Sequence, residues 1–135
     1  MLVRRYGTTI QSVAPNFDAH AMNEVGFLRE GGWSLPVSEF ESTYRKGEVR
    51  ELTAEAEGDV QGEVEAAVLA SLREQLAGVE ASLGPDEVLL VENEPGKDQP
   101  KTRSTQTTTV VGHENRLRFQ YTVDPPLRVA VWRRS

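Results

Sequence analysis

Two histidines and 21 acidic side chains are the raw material from which this chain could assemble catalytic chemistry, and cysteine is absent. His20 sits in the run Asp18-Ala19-His20-Ala21-Met22-Asn23-Glu24, and His113 is followed by Glu114. Asp18, His20, Glu24 and His113 are chemically acceptable ligands for a divalent metal. Their spacing does not support a site: no HxH, HxxxH or HExxH pattern occurs, and nothing in the sequence brings residue 113 near residue 20. No metal and no cofactor are expected. The missing cysteine also excludes thiol nucleophiles, cysteine-ligated zinc, iron–sulfur clusters and disulfides, and it fits a reducing compartment.

Other catalytic patterns fare no better. No GxSxG nucleophile elbow is present. Glu39 with Glu41, and Glu55 with Glu57, stand at i, i+2 on single strand faces, where a solvated outer surface explains them more simply than acid–base work. Asp18 and Glu24 hold more interest, because sites are often built in segments without regular structure. A small enzyme would therefore place its site where residues 17–36 meet the sheet, lined by Asp18, His20, Glu24 and Trp33. A phosphate needs a glycine-rich strand-to-helix junction, but that junction reads Glu57-Gly58-Asp59-Val60-Gln61-Gly62-Glu63, with acids where the anion would bind.

One basic surface is legible. Arg116, Arg118, Gln120 and Thr122 alternate with Leu117, Phe119, Tyr121 and Val123. With Arg128, Trp132, Arg133 and Arg134 from the following strand they would form a basic sheet face with one aromatic, the ingredients of a platform for single-stranded nucleic acid. His113 falls at the expected hairpin tip Gly112-His113-Glu114-Asn115, between strands 104–111 and 116–123. A net charge of −6, a pI near 5.0 and the lack of an RNP- or KH-like motif make nucleic-acid binding the weaker reading.

The elements that must carry these residues follow from periodicity. Val60, Val64, Val68, Leu72, Leu76, Val79 and Leu83 recur at spacings of three and four, which predicts one long amphipathic helix over residues 60–83, about 36 Å long at ~1.5 Å per residue. Asp59 is the expected N-cap, and Gly84-Pro85 the expected stop. Residues 2–13 read as a first strand, ended by Pro15-Asn16, and Val25 to Leu28 as a short buried one before Gly31-Gly32 forces a turn. Phe40–Tyr44 and Val49–Glu57 read as a hairpin turning at Arg45-Lys46-Gly47-Glu48. Val88-Leu89-Leu90-Val91 reads as a central strand covered on both faces. Residues 92–102 read as a mobile polar loop, and the strands 104–111, 116–123 and 127–133 as an antiparallel meander. The expectation is one α+β domain over residues 1–135: a mostly antiparallel sheet of about six to eight strands with the helix packed across one face.

Length, 38% hydrophobic and 27% charged residues describe an ordinary globular chain. No secretory leader and no apolar run of membrane-spanning length is visible, so a cytoplasmic, water-soluble protein is expected. Charge is unevenly spread: residues 18–96 carry 18 acids against 5 bases, and residues 97–135 carry 8 bases against 3 acids. Ala66, Ala70, Ala77 and Ala81 lie on the helix side away from its apolar stripe, and that side could meet the basic sheet of a second copy. The favoured reading is a non-catalytic small-ligand- or protein-interaction module, homo-oligomeric and in the simplest case a homodimer.

Overall fold

The computed structural model describes residues 1–17 and 26–135. Asp18, His20 and Glu24 therefore lie outside the described residues, as does Val25.

Among the described residues, nine strands and two helices run in the order β1 (Leu2–Tyr6), β2 (Thr9–Asn16), β3 (Gly26–Pro36), α1 (Val37–Thr43), β4 (Tyr44–Leu52), β5 (Glu55–Gly58), α2 (Gln61–Ala81), β6 (Glu87–Val91), β7 (Thr102–Val111), β8 (Glu114–Val123) and β9 (Leu127–Arg134). They form a six-stranded sheet of order β3-β2-β1-β6-β9-β4 and a three-stranded sheet of order β5-β8-β7. Every pairing of the described strands is antiparallel except β1 with β6. This is the expected α+β class, with one long helix laid across a sheet.

β6 occupies the middle of the large sheet because its side chains are apolar in both directions. Leu89 and Val91 enter a core with Leu2, Val13, Leu127, Val129 and the stripe of α2. Val88 and Leu90 point the other way, to a smaller core with Val3, Ile10 and Phe40. On α2 the stripe Val64, Val68, Leu72, Leu76 and Val79 is buried as its spacing requires, and Leu69 joins it. Val60 stands just outside, exposed at the helix N-cap, and Asp59 makes no capping bond; Val60 itself is the N-cap residue, with no side-chain cap. At the other end α2 stops at Ala81, ahead of Gly84-Pro85. Ser82 remains right-handed, its hydroxyl donates to the carbonyl of Val79 at 2.7 Å, and Gly84 is not in the left-handed region. Over 21 residues α2 is about 31 Å long.

The structure corrects several strand assignments. Residues 2–16 are a hairpin, not one strand, because Gly7 takes φ +62° and lets the chain reverse between Tyr6 and Thr9. Gly31-Gly32 do not end β3; they are absorbed as a bulge opposite β2, where pairing jumps from Gln11–Ser34 to Val13–Arg29 and Gly32 takes φ +106°. Phe40–Tyr44 is not a strand. Pro36 opens α1, and Val37, Phe40 and Tyr44 satisfy a helical spacing as well as an alternating one. Phe40 is the anchor of the smaller core, stacked on Tyr44 at 4.8 Å and tilted against Trp132 at 4.9 Å.

Gly47 likewise makes no turn. It lies inside β4, within a bulge between Lys46 and Val49, where a Cβ would come within 3.1 Å of the Val131 carbonyl on β9. The strand read as Val49–Glu57 is broken at Thr53-Ala54, where the chain passes from one sheet to the other. The Thr53 hydroxyl donates to the Val123 carbonyl, and Val123 N–H donates to the Ala54 carbonyl. Finally, β8 and β9 are not neighbours: β9 leaves the hairpin and inserts between β6 and β4, so no meander forms.

The two glycines with opposite surroundings give a direct check. Gly78 lies in the exposed face of α2, and a methyl group added there would meet nothing within 4 Å. Gly78→Ala should therefore gain about 0.5–1 kcal/mol of stability. Gly47→Ala should lose on the order of 1 kcal/mol, because the neighbour it meets is ladder backbone. Urea unfolding of the two variants beside the parent chain reads both signs.

Candidate interaction surface

The sequence-derived candidates are not gathered by the fold. Trp33 faces the smaller core, its ring edge-on to Phe40 at 6.5 Å between centroids, and lines no described hollow. His113 is exposed in the two-residue turn Gly112-His113 at the far end of the β7–β8 hairpin. Among the described residues no three acidic or imidazole side chains come together as a metal cluster. Arg116 and Arg118 do share a face of β8, but Arg128, Trp132, Arg133 and Arg134 belong to the other sheet. The basic face is therefore split. Three of its members are also engaged by acids of this chain: Arg118 with Glu57 at 2.7 Å, Arg116 with Glu114 at 3.8 Å and Arg128 with Asp98.

The polar loop after β6 is tied down, contrary to its reading as mobile. Asn93 is fully buried; its amide donates to the carbonyls of Asp98 and Pro126, and its side-chain oxygen accepts the N–H of Arg128. Arg4, only 4% exposed, donates from Nη2 to the carbonyl of Asn93 at 2.9 Å and to Oε1 of Gln99 at 2.5 Å, and its guanidinium lies 5.2 Å from the Phe27 ring centre. Its Nε has no partner among the described residues. Burial pushes Arg4 below the usual guanidinium range, against the opposing pull of the Tyr6 hydroxyl and the Asp98 charge. Hollows of about 510 Å³ and 270 Å³ flank this loop, the first lined by Arg5, Glu92 and Glu94, the second by Arg4, Tyr6 and Phe27. The buried cation is spent on holding the loop, a structural task that its neutral oxygen partners accomplish without a ligand.

Asp98 completes the clamp. Desolvation alone would raise its carboxyl, but hydrogen bonds from the Arg128 guanidinium and the Glu94 N–H, together with the Arg128 charge, outweigh it and hold the group below the ordinary carboxylate range. A depressed folded-state value contributes stability that is present above the unfolded value near 4 and is lost as pH falls through the folded one. Asp98→Asn should therefore unfold at lower urea than the parent at pH 7, with the difference shrinking below about pH 4. A gap that stays unchanged as pH falls from about 4 to about 2 would contradict the clamp.

The surface that remains is the β7–β8 hairpin. Its root is packed: Tyr121 and Val123 are buried, and Phe119 is half-buried against the main core. Beyond Phe119 the two strands leave the body, and residues 103–111 and 114–118 are exposed on both faces. Val110 is 70% exposed, Val111 54% and Leu117 45%. Ten consecutive residue pairs, Thr102–Val123 through Val111–Glu114, run without a register shift. One face of the arm carries Thr105, Thr107 and Thr109 beside Gln120, Arg118 and Arg116; the other carries Gln106, Thr108 and Val110 beside Phe119, Leu117 and Asn115.

The four edges of the described sheets differ in how they are guarded. β4 is bulged and carries Arg45, Lys46, Glu48, Arg50 and Glu51. β3 is broken by the Gly31-Gly32 bulge, charged at Arg29 and Glu30 and closed by Pro36. β5 is four residues long with Glu55 and Glu57. These are the usual devices against strand pairing between molecules. β7 has almost none of them: ten residues, regular, without Gly or Pro, and with a single charge, Arg103, near its start. Sequence reasoning missed this edge, although the uncharged β-branched run Ser-Thr-Gln-Thr-Thr-Thr-Val-Val was its signal. Comparison with family models, curated proteins and solved structures gave no match, so a functional reading rests on the geometry of the chain itself.

Proposed function

We propose that this chain is a non-catalytic protein-interaction module that binds by accepting an additional strand along β7. The single observation that carries this reading is the contrast among the four described edges: three are bulged, short or charged along their length, and the fourth, the longest regular one, carries only Arg103. An exposed row of amides and carbonyls gives affinity through main-chain bonds, and alternate side chains give selectivity. The threonine-rich composition keeps such an edge soluble while retaining strong strand propensity. The regular ten-pair ladder to β8 presents those groups in a straight line.

Hydrogen-bond parity along β7 supplies the means to test it. The two-residue turn makes Val111 and Glu114 the first and fourth residues of a β-turn, so they form a bonded pair. Bonded and non-bonded pairs then alternate along an antiparallel ladder, so odd-numbered residues of β7 bond inward to β8 and even-numbered ones point outward. The far side of β8 agrees, since Val123 donates its N–H away from β7 to Ala54, whereas Asp124 donates toward Lys101. Thr108→Pro thus removes an outward donor and spares the ladder to β8.

The measurement is fluorescence anisotropy with a labelled neutral strand peptide, Lys-Thr-Val-Thr-Val-Thr-Lys, titrated with the full chain. Saturable binding with a dissociation constant on the order of 10–100 µM is expected for the parent, lost in Thr108→Pro at unchanged melting temperature. No binding to the parent, or equal binding to the proline variant, would sink the reading.

A further inference from the structure

We infer that the strand accepted by β7 is β7 of a second copy of this chain, paired antiparallel about a two-fold axis through Thr107. The inference rests on the strand-addition reading above and names its partner.

Parity restricts the geometry first. Two β7 strands can bond only through their outward groups, which belong to even-numbered residues, so even must meet even across the interface. In a two-fold antiparallel pair the axis then passes through a residue and never between two. Of the registers this permits, the one centred on Thr107 is the one in which the entire exposed stretch 103–111 finds a partner within itself. Ser104 bonds with Val110 of the second copy and Gln106 with Thr108, each pair occurring twice by symmetry. Shifting the axis by one residue either way leaves part of that stretch unpaired.

Side chains fit the same register. Thr107 meets its own copy, and Thr105 meets Thr109, a ladder of threonine pairs of the kind that stabilises antiparallel strands. The single charge of the strand, Arg103, falls opposite Val111, whose neighbour on β8 is Glu114. A cation therefore approaches an anion at both ends of the interface. The remaining like charges are kept apart: Arg118 and its symmetry copy would be separated by three strand spacings, about 14 Å and beyond a Debye length at physiological salt. Each is also paired with Glu57 of its own chain. On the opposite face Val110, the most exposed large apolar side chain of the described residues, comes to lie beside Ser104 of the second copy, in the row of Tyr121. The product is a continuous sheet of order β5-β8-β7-β7-β8-β5 with the short, acidic β5 at both outer edges, so growth stops at two copies.

The absence of cysteine makes the test clean. Thr107 and its copy would form a non-bonded pair with Cα atoms about 4.5 Å apart, within the range a disulfide spans. Thr107→Cys is expected to give a disulfide-linked dimer under mild oxidation. Thr105→Cys alone and Thr109→Cys alone should not link, their own copies lying about 14 Å away, but a mixture of the two should. Sedimentation of the parent chain should show a reversible dimer forming at about 10–100 µM, absent in Thr108→Pro. Linking through Thr105→Cys alone in preference to Thr107→Cys would overturn the register, and a parent that stays monomeric to about 200 µM with no thiol variant linking would overturn the second copy as partner. In either case the strand-peptide titration decides separately whether β7 accepts strands at all.

Discussion

The whole arrangement depends on β6 being apolar on both sides. A strand with Leu89 and Val91 facing one way and Val88 and Leu90 the other must be covered twice, and each covering layer recruits a different part of the chain. α2 and the inner face of β8 supply one cover. α1, with Phe40 between Tyr44, Trp33 and Trp132, supplies the other. With both faces sealed, β1 and β9 flank β6, and the other described strands lie further out or in the smaller sheet. The β7–β8 hairpin is the margin left without a cover. Its root continues the core through Tyr121 and Phe119, and its outer half is exposed among the described residues.

How legible a residue is in the sequence depends on whether its role is local or distant. The α2 stripe is readable because helical periodicity is a property of neighbouring residues, and the β6 run because four apolar residues in sequence admit few alternatives. Phe40 misleads because Val37, Phe40 and Tyr44 fit a helical period while Phe40, Ser42 and Tyr44 fit an alternating one, and only the aromatic cluster formed with Trp33 and Trp132 decides between them. Gly47 misleads for a similar reason: glycine after two basic residues resembles a turn, but the residue is demanded by the carbonyl of Val131, far along the chain. The break at Thr53-Ala54 has no local signal either, since Leu52 and Ala56 keep the alternation while entering different sheets.

The candidate surface is hidden by the same rule. Side-chain chemistry draws attention to histidines, acids and arginines, whereas the β7 edge offers main-chain groups, and its side chains matter mainly for what they lack. Its character emerges only beside β3, β4 and β5, once the topology has shown which strands are edges. The loop clamp is legible to the same limited degree, because Asn93, Arg4 and Arg128 come from three separate elements and each looks like a surface polar residue by itself.

The position of β9 has a kinetic consequence. It lies between β6 and β4, so neither of those strands can complete its ladder until residues near 130 are in place. β1 adds to the delay, since its parallel partner β6 lies more than 80 residues further along the chain. During synthesis α2 and the β1–β2 hairpin can form early from local contacts, but the large sheet must wait and then close at high contact order. The β7–β8 hairpin, local and regular, can zip before that closure. The part of the molecule that presents an open strand to its surroundings is therefore ready before the body that carries it.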